Sequence, residues 1–192
     1  MKVTIIGAGN VGKALGTSIG RAGHDVTISA STPESANAAA QEIGATPADT
    51  NVDAVSGADI VILAVPFVGV GETIANEIRG EVAGKTVIDV TNPLKPDYSG
   101  LATNGSSGAE EFQKQLPEAN VVKAFNTIFA ANQANPSRDV DGFVAADDDK
   151  AKQQVISLVR SRLARRRRAR LGARSAFTTS PGKSTRSRAW PR

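Results

Sequence analysis

The sequence predicts an α/β fold built as a doubly wound, mostly parallel sheet, and three observations carry that expectation. The apolar run Val3-Thr4-Ile5-Ile6 leads at once into Gly7-Ala8-Gly9-Asn10-Val11-Gly12, behind which Val11, Leu15, Ile19 and Ala22 recur at helical spacing. Strand, glycine loop and amphipathic helix in that order make a dinucleotide-binding fingerprint, whereas the glycine pattern alone is often a chance loop. Strand-like and helix-like segments then alternate about every 25–30 residues, the rhythm of βαβ units and a parallel sheet. Residues 59–65, Asp-Ile-Val-Ile-Leu-Ala-Val, form an unbroken apolar strand closed by Pro66, as expected where both faces are covered.

Within the loop, Gly7 permits the tight turn, Gly9 lets the backbone approach a pyrophosphate, and Gly12 lets the helix lie close on the sheet. The free N–H groups and positive end of that helix then meet the phosphates. Gly16 and Gly20 extend a small-residue stripe at four-residue spacing, read as close helix–sheet contact. The first helix covers 11–22, with Gly23 beyond its end. Strand two is 25–29. Pro33, after Ser31-Thr32, opens an Ala-rich helix to about residue 43. Residues 46–48 make a short edge segment, 52–56 a brief helix, 70–79 a helix and 86–90 the next strand. A loop rich in Asn, Pro, Gly and Ser fills 91–107. A helix near 109–115 precedes a buried strand at 120–125. Residues 142–145 then lead through Asp147-Asp148-Asp149 into a helix carrying Val155, Ile156 and Val159; acids in its first turn suit the helix dipole. In such sheets ligands sit beyond the carboxyl ends of the strands, so the candidate site lies in 7–12, 29–32, 65–68, 91–95 and 125–130.

The length of 192 residues fits one domain with a full core and a small extension. With no Cys, disulfides and thiolate chemistry are excluded. No basic-then-apolar leader and no long apolar run is evident, and the expectation is a cytoplasmic protein without a membrane span. The net charge of +4 averages two unlike pieces. Residues 1–159 carry all 19 acids against 11 Lys and Arg, a net of −8, while residues 160–192 carry 11 Arg, one Lys and no acid, a net of +12. The sequence therefore divides into a dinucleotide-binding domain, 1–159, and an Arg-rich tail, 160–192, expected to be disordered.

A ribose-binding carboxylate is expected about 20 residues past the glycine loop, at the end of strand two. That place reads Ser29-Ala30-Ser31-Thr32 instead. Hydroxyls at a helix N-terminus can receive a 2′-phosphate that a carboxylate would repel, so NADP is favoured over NAD. The plainer role of Ser31 and Thr32 is to cap the second helix. Ionisable candidates for catalysis are few. His24 lies in a turn on the amino edge of the sheet, Tyr98 sits in a loop, Lys95 reads as a solvated loop charge and Lys123 as a ladder-edge charge. The residues that gather at the carboxyl edge are neutral: Thr91, Asn92, Asn126 and Thr127. They can hold a carboxamide or a ring edge but supply no acid or base near neutral pH. Such a set suits hydride transfer between two redox rings, and no catalytic side chain is assigned.

With these residues in view, the chain resembles the NADPH-dependent reductases of the 8-hydroxy-5-deazaflavin coenzyme, the F420-dependent NADP oxidoreductases. The resemblance rests on Gly-Ala-Gly-Asn-Val-Gly (7–12), Ala-Val-Pro-Phe (64–67), Val-Ile-Asp-Val-Thr-Asn-Pro-Leu (87–94), Val-Val-Lys-Ala-Phe-Asn-Thr-Ile (121–128) and Asp-Asp-Asp-Lys-Ala-Lys (147–152). It implies a Rossmann domain whose Ala8, Gly9, Asn10 and Val11 hold the NADP pyrophosphate, with Ala30, Ser31 and Thr32 toward the 2′-phosphate. Val65 and Pro66, together with Asn126 to Ala130, would flank the nicotinamide, and the deazaflavin, or a flavin, would stack on it as hydride acceptor. The resemblance also implies a homodimer. Ala30 and Ser31 stand where the archetype has Ser-Arg, and Asn126 where it has His.

The resemblance ends near residue 159, where the family continues into a strand, a turn and a helix completing a smaller lobe. This C-terminal lobe is thus expected to be incomplete or altered here. The abrupt loss of acids fits a reading-frame shift near residue 160; the rival is a basic tail binding nucleic acid or anionic membrane non-specifically. Two other functional readings stand beside hydride transfer: a non-catalytic NADP(H)-binding module or redox sensor, and a nucleic-acid-associated protein acting through the Arg run.

Overall fold

The computed structural model describes residues 1–136 and 141–175, with side chains as far as residue 162. Seven strands among them form one sheet in the order β3-β2-β1-β4-β5-β6-β7. The strands are β1 (Lys2–Ile6), β2 (Asp25–Ser29), β3 (Thr46–Pro47), β4 (Ile60–Leu63), β5 (Thr86–Asp89), β6 (Asn120–Ala124) and β7 (Val144–Ala146). All pairings are parallel except β6 with β7. The helices are α1 (Asn10–Arg21), α2 (Pro33–Ile43), α3 (Asn51–Ser56), α4 (Glu72–Ile78), α5 (Gly108–Gln115), α6 (Ala130–Ala134) and α7 (Asp149–Ser175). This is the doubly wound, mostly parallel α/β sheet that the sequence predicts.

The alternation of β4 shows why its four residues are all apolar. Ile60 and Ile62 point into one core, with Ile5, Leu15, Ile28, Val122, Val155 and Leu158. Val61 and Leu63 point into the other, with Ile6, Val55, Ile78, Phe112 and Leu116. Each such fully buried side chain contributes about 1.5–3 kcal/mol, so a polar residue on either face of β4 would be costly.

Local signals set the ends of the helices. Thr32 caps α2 by accepting a hydrogen bond from the Ser35 N–H at 3.2 Å, and Pro33 follows at the first helical position. Ser107 and Glu110 form a reciprocal capping box on α5. The Asp148 side chain accepts from Ala151 N at 2.7 Å at the start of α7.

The helix expected at 70–79 is present: α4 follows directly on a π-type turn, Phe67–Gly71, whose non-helical residues, Val68 and Gly69 (φ +80°), lie before residue 70. Pro66, which lacks an N–H, and the left-handed Gly69 separate this helix from β4. The boundary expected at residue 159 falls inside α7, which continues without a break to Ser175. Arg162, which composition assigns to the tail, is buried in the body. Its Nε donates to Ser18 Oγ of α1 at 2.9 Å, its Nη2 donates to the Gln133 carbonyl of α6 at 2.8 Å, and its guanidinium lies 5.0 Å from the Phe125 ring centroid. Burial pushes its pKa down to about 10, so it stays charged at neutral pH. Residues 176–192, and the disorder expected of them, lie outside the described residues.

Candidate functional site

The sheet order places β1 between β2 and β4, so the chain winds in opposite directions from β1 and leaves a crevice beyond the carboxyl ends of β1 and β4. A cleft of about 450 Å³ opens there, lined by Ile6 to Gly9, Ala30, Ser31, Ser35, Asn51, Ala64 to Pro66, Val70 and Ile74. Every residue lining it is uncharged.

The glycines shape this cleft in three different ways. Gly7 has φ +113°, and a Cβ there would lie 2.3 Å from the Ala64 carbonyl oxygen, so the exits of β1 and β4 touch through bare backbone. Its N–H donates to the Ser29 carbonyl at 3.0 Å, which fixes the turn against β2. Gly12 is set by the loop more than by the sheet, since a Cβ there would come 1.9 Å from the Gly7 oxygen and 3.3 Å from Ile5. Gly9 is the reverse case: a Cβ would meet nothing within 4 Å, so its missing side chain leaves open space. Gly9 also N-caps α1 with extended backbone, no side-chain hydrogen bond and no acid in the first turn, so the positive end of α1 is left for an outside anion. Further along α1, a Cβ on Gly16 would lie 2.6 Å from Ile43 of α2, so this part of the stripe serves helix–helix as well as helix–sheet contact.

Of the expected site residues, Gly7, Ala8, Gly9, Ala30, Ser31, Val65 and Pro66 meet in the cleft. Asn10 and Gly12 belong to the first turn of α1, Ala8 and Val11 also pack on the core, and Thr32 caps α2. Asn92 and Asn126 form a separate pair: Asn126 Nδ2 donates to Asn92 Oδ1 at 3.1 Å, and Asn92 Nδ2 lies 3.4 Å from the Asn126 carbonyl. Ala130 begins α6.

The cleft also contains residues that sequence reasoning missed. Asn51, from the start of α3, accepts from Ser29 Oγ at 2.7 Å and donates to Glu77 Oε2 at 2.8 Å. Ser35 is in the first turn of α2, and Val70 and Ile74 come from the turn and helix after β4. Their signal was positional only, since each follows the carboxyl end of a strand.

Lys123 differs from its expected role as a ladder-edge charge. Its strand is covered by β5 on one side and β7 on the other, and its Nζ pairs with the buried Asp89 carboxylate at 2.8 Å. His24 stays on the amino edge, where its Nε2 lies 2.7 Å from Ser161 Oγ of α7.

An uncharged crevice around a glycine turn, at the switch point of a parallel sheet and beside the N-terminus of α1, is the arrangement of a Rossmann-type fold. Residues 2–93 match the family described as NADP oxidoreductase, coenzyme F420-dependent. Over 176 residues the chain is 32% identical to the F420-dependent NADP reductase of Methanothermobacter thermautotrophicus, covering 82% of this chain and 75% of that protein. The chain therefore belongs to the F420-dependent NADP oxidoreductase family and is an NADP-dependent oxidoreductase, as the resemblance of its motifs implies. Among solved structures, one from Arthrobacter sp. FB24 assigned as an F420-dependent NADP reductase superposes with a TM-score of 0.76 at 27% identity, covering 84% of this chain and 81% of that one. A hypothetical protein from Sinorhizobium meliloti does so with a TM-score of 0.71 at 31% identity and the same coverage.

Proposed function

We propose that this enzyme passes a hydride between NADPH and the deazaflavin ring of coenzyme F420. The observation that carries the proposal is the uncharged cleft around a glycine turn, in a chain of this family. The residues fit the nucleotide: Gly9 leaves room where a side chain would block a pyrophosphate, and the N-terminus of α1 offers N–H donors to it. Ala30 and Ser31, beside the N-terminus of α2 and without a carboxylate of their own, receive the 2′-phosphate, with Ser35 as an added hydroxyl. Val65 and Pro66 form an apolar wall for the nicotinamide ring, and Asn92, Asn126 and Ala130 close its far side. When bound, the two coenzymes would supply the redox chemistry, the nicotinamide as hydride donor and the deazaflavin as acceptor, with the accompanying proton taken from solvent. The protein's part would be to align the two rings, which needs positioning rather than a side-chain acid. The same reading takes the enzyme as a cytoplasmic homodimer, a state that sedimentation would check. No helix among the described residues is long and apolar enough to cross a membrane.

The test is an acceptor assay. NADPH absorbance should fall when the deazaflavin coenzyme is added and hold steady with free flavin or with no acceptor. Gly9→Val should fold normally yet lose NADPH binding by at least about a hundredfold, because the new side chain occupies the place of the pyrophosphate. Tight NADPH binding without turnover on any acceptor would favour a non-catalytic binding module. Undiminished NADPH affinity in Gly9→Val would remove the nucleotide from this cleft altogether.

A further inference from the structure

We infer that Asp89 and Lys123 are positioning residues for the nicotinamide end of the cleft, their ion pair gripping residue 91 from both sides and so fixing Asn92 against Asn126. This deepens the proposed function and rests on it for the location of the nicotinamide. The two residues are register partners on β5 and β6. Asp89 is fully buried. One of its oxygens accepts from Lys123 Nζ at 2.8 Å, and the other accepts from the Thr91 N–H at 2.7 Å. Lys123 Nζ donates in addition to the Thr91 carbonyl. Both backbone polar groups of residue 91 therefore end on the same ion pair, and the next residue is Asn92.

The facing turn is fixed as firmly. Phe125 stands in the left-handed region at φ +66°, a conformation that a bulky residue holds only where its surroundings enforce it. The buried Gln133 donates from Nε2 to the Phe125 carbonyl at 2.9 Å, and Arg162 covers the ring. Asn126 follows and meets Asn92 across the gap between the strands. Thr91 supplies a second pointer, since its Oγ1 is buried without a hydrogen-bond partner among the described residues. The segment held by the pair thus keeps an unused polar group near the carboxyl edge of the sheet.

A buried ion pair is a poor way to join two strands for stability alone, because desolvation consumes most of its Coulomb energy and apolar residues would serve as well. Its advantage is direction. A carboxylate and an ammonium together can hold a donor and an acceptor of one peptide segment at once, which no apolar pair can do.

The test uses the full chain with Asp89→Asn and with the double variant Asp89→Asn/Lys123→Met. In the first, Lys123 is partly exposed and can turn to solvent; in the second neither charge of the pair remains. Each is measured for affinity toward NADPH and toward 2′,5′-ADP, which lacks the nicotinamide, and for KM and kcat with the deazaflavin coenzyme. Expected is a 2′,5′-ADP affinity within about twofold of the parent, a preference for NADPH over it reduced about tenfold, and a kcat reduced about tenfold with little change in KM. A folded variant that keeps both the parent preference and the parent kcat overturns the inference. If the parent protein binds NADPH but reduces no deazaflavin, the proposed reaction fails, while the ratio of the two nucleotide affinities still decides the role of the pair.

Discussion

Single atoms decide the behaviour of the glycine turn. Gly9 and Gly12 look alike in the sequence, but a methyl on Gly9 enters empty space and one on Gly12 enters the Gly7 carbonyl at 1.9 Å. Gly12→Ala is therefore expected to destabilise the protein by about 2 kcal/mol, despite the better helix propensity of alanine, because overpacking against backbone has no soft partner to give way. Denaturant midpoints would show this, with Gly9→Val unfolding as the parent does. The sequence pattern was sufficient to mark these positions as glycine. It could not say which atom each glycine avoids, because those atoms are carbonyl groups placed by tertiary contact. The same limit hid Lys123, since a charge within a strand gives no sign of the carboxylate it meets on the neighbouring strand.

Elements with strong periodicity were legible, as α1, α2 and β4 show, and their caps were legible too. The helix expected at 70–79 was legible as well; the turn just before it was not, because the non-helical Val68 and Gly69 leave no periodic signature. At α7, the helix continues past residue 159 into the stretch that composition sets apart. Contacts with distant elements hold that helix. Ser161 Oγ donates to the Leu158 carbonyl and so faces His24 as an acceptor, which puts the proton of a neutral imidazole on Nε2. Burial, followed by the nearby N-terminal ammonium, holds the His24 pKa below its ordinary 6.5, although Asp25 opposes this. The unfolded chain thus binds the proton more readily than the folded one. The stability involved is fully present above pH 6.5 and falls as the pH drops through that value toward the lower folded pKa. Thermal melts between pH 7.5 and pH 5 should show Tm declining more in the parent than in His24→Gln, in steps that match imidazole titration.

On the scale of the whole molecule, the doubly wound, mostly parallel character of the sheet was readable from the alternation of strand and helix, and with it the edge where ligands bind; the order of the strands was not. The convergence of α1, α6 and α7 on Arg162 was not readable, since a run of like charges ordinarily marks a solvated face. Because that guanidinium donates to Ser18 and Gln133 and covers Phe125, Arg162→Ala should cost about 2–3 kcal/mol by leaving buried acceptors unpaired. Calorimetry would detect it, and a change below about 0.5 kcal/mol would show that the contact is idle. Both margins of the sheet are abrupt. One is the two-residue β3, ending in Pro47, which has no N–H to offer, and the other is the three-residue antiparallel β7. Neither presents a ladder long enough to template a strand from a second molecule. Among the described residues, the folded sheet thus offers little for a second copy to extend, and crowded samples of the folded protein should resist growth into cross-β fibrils.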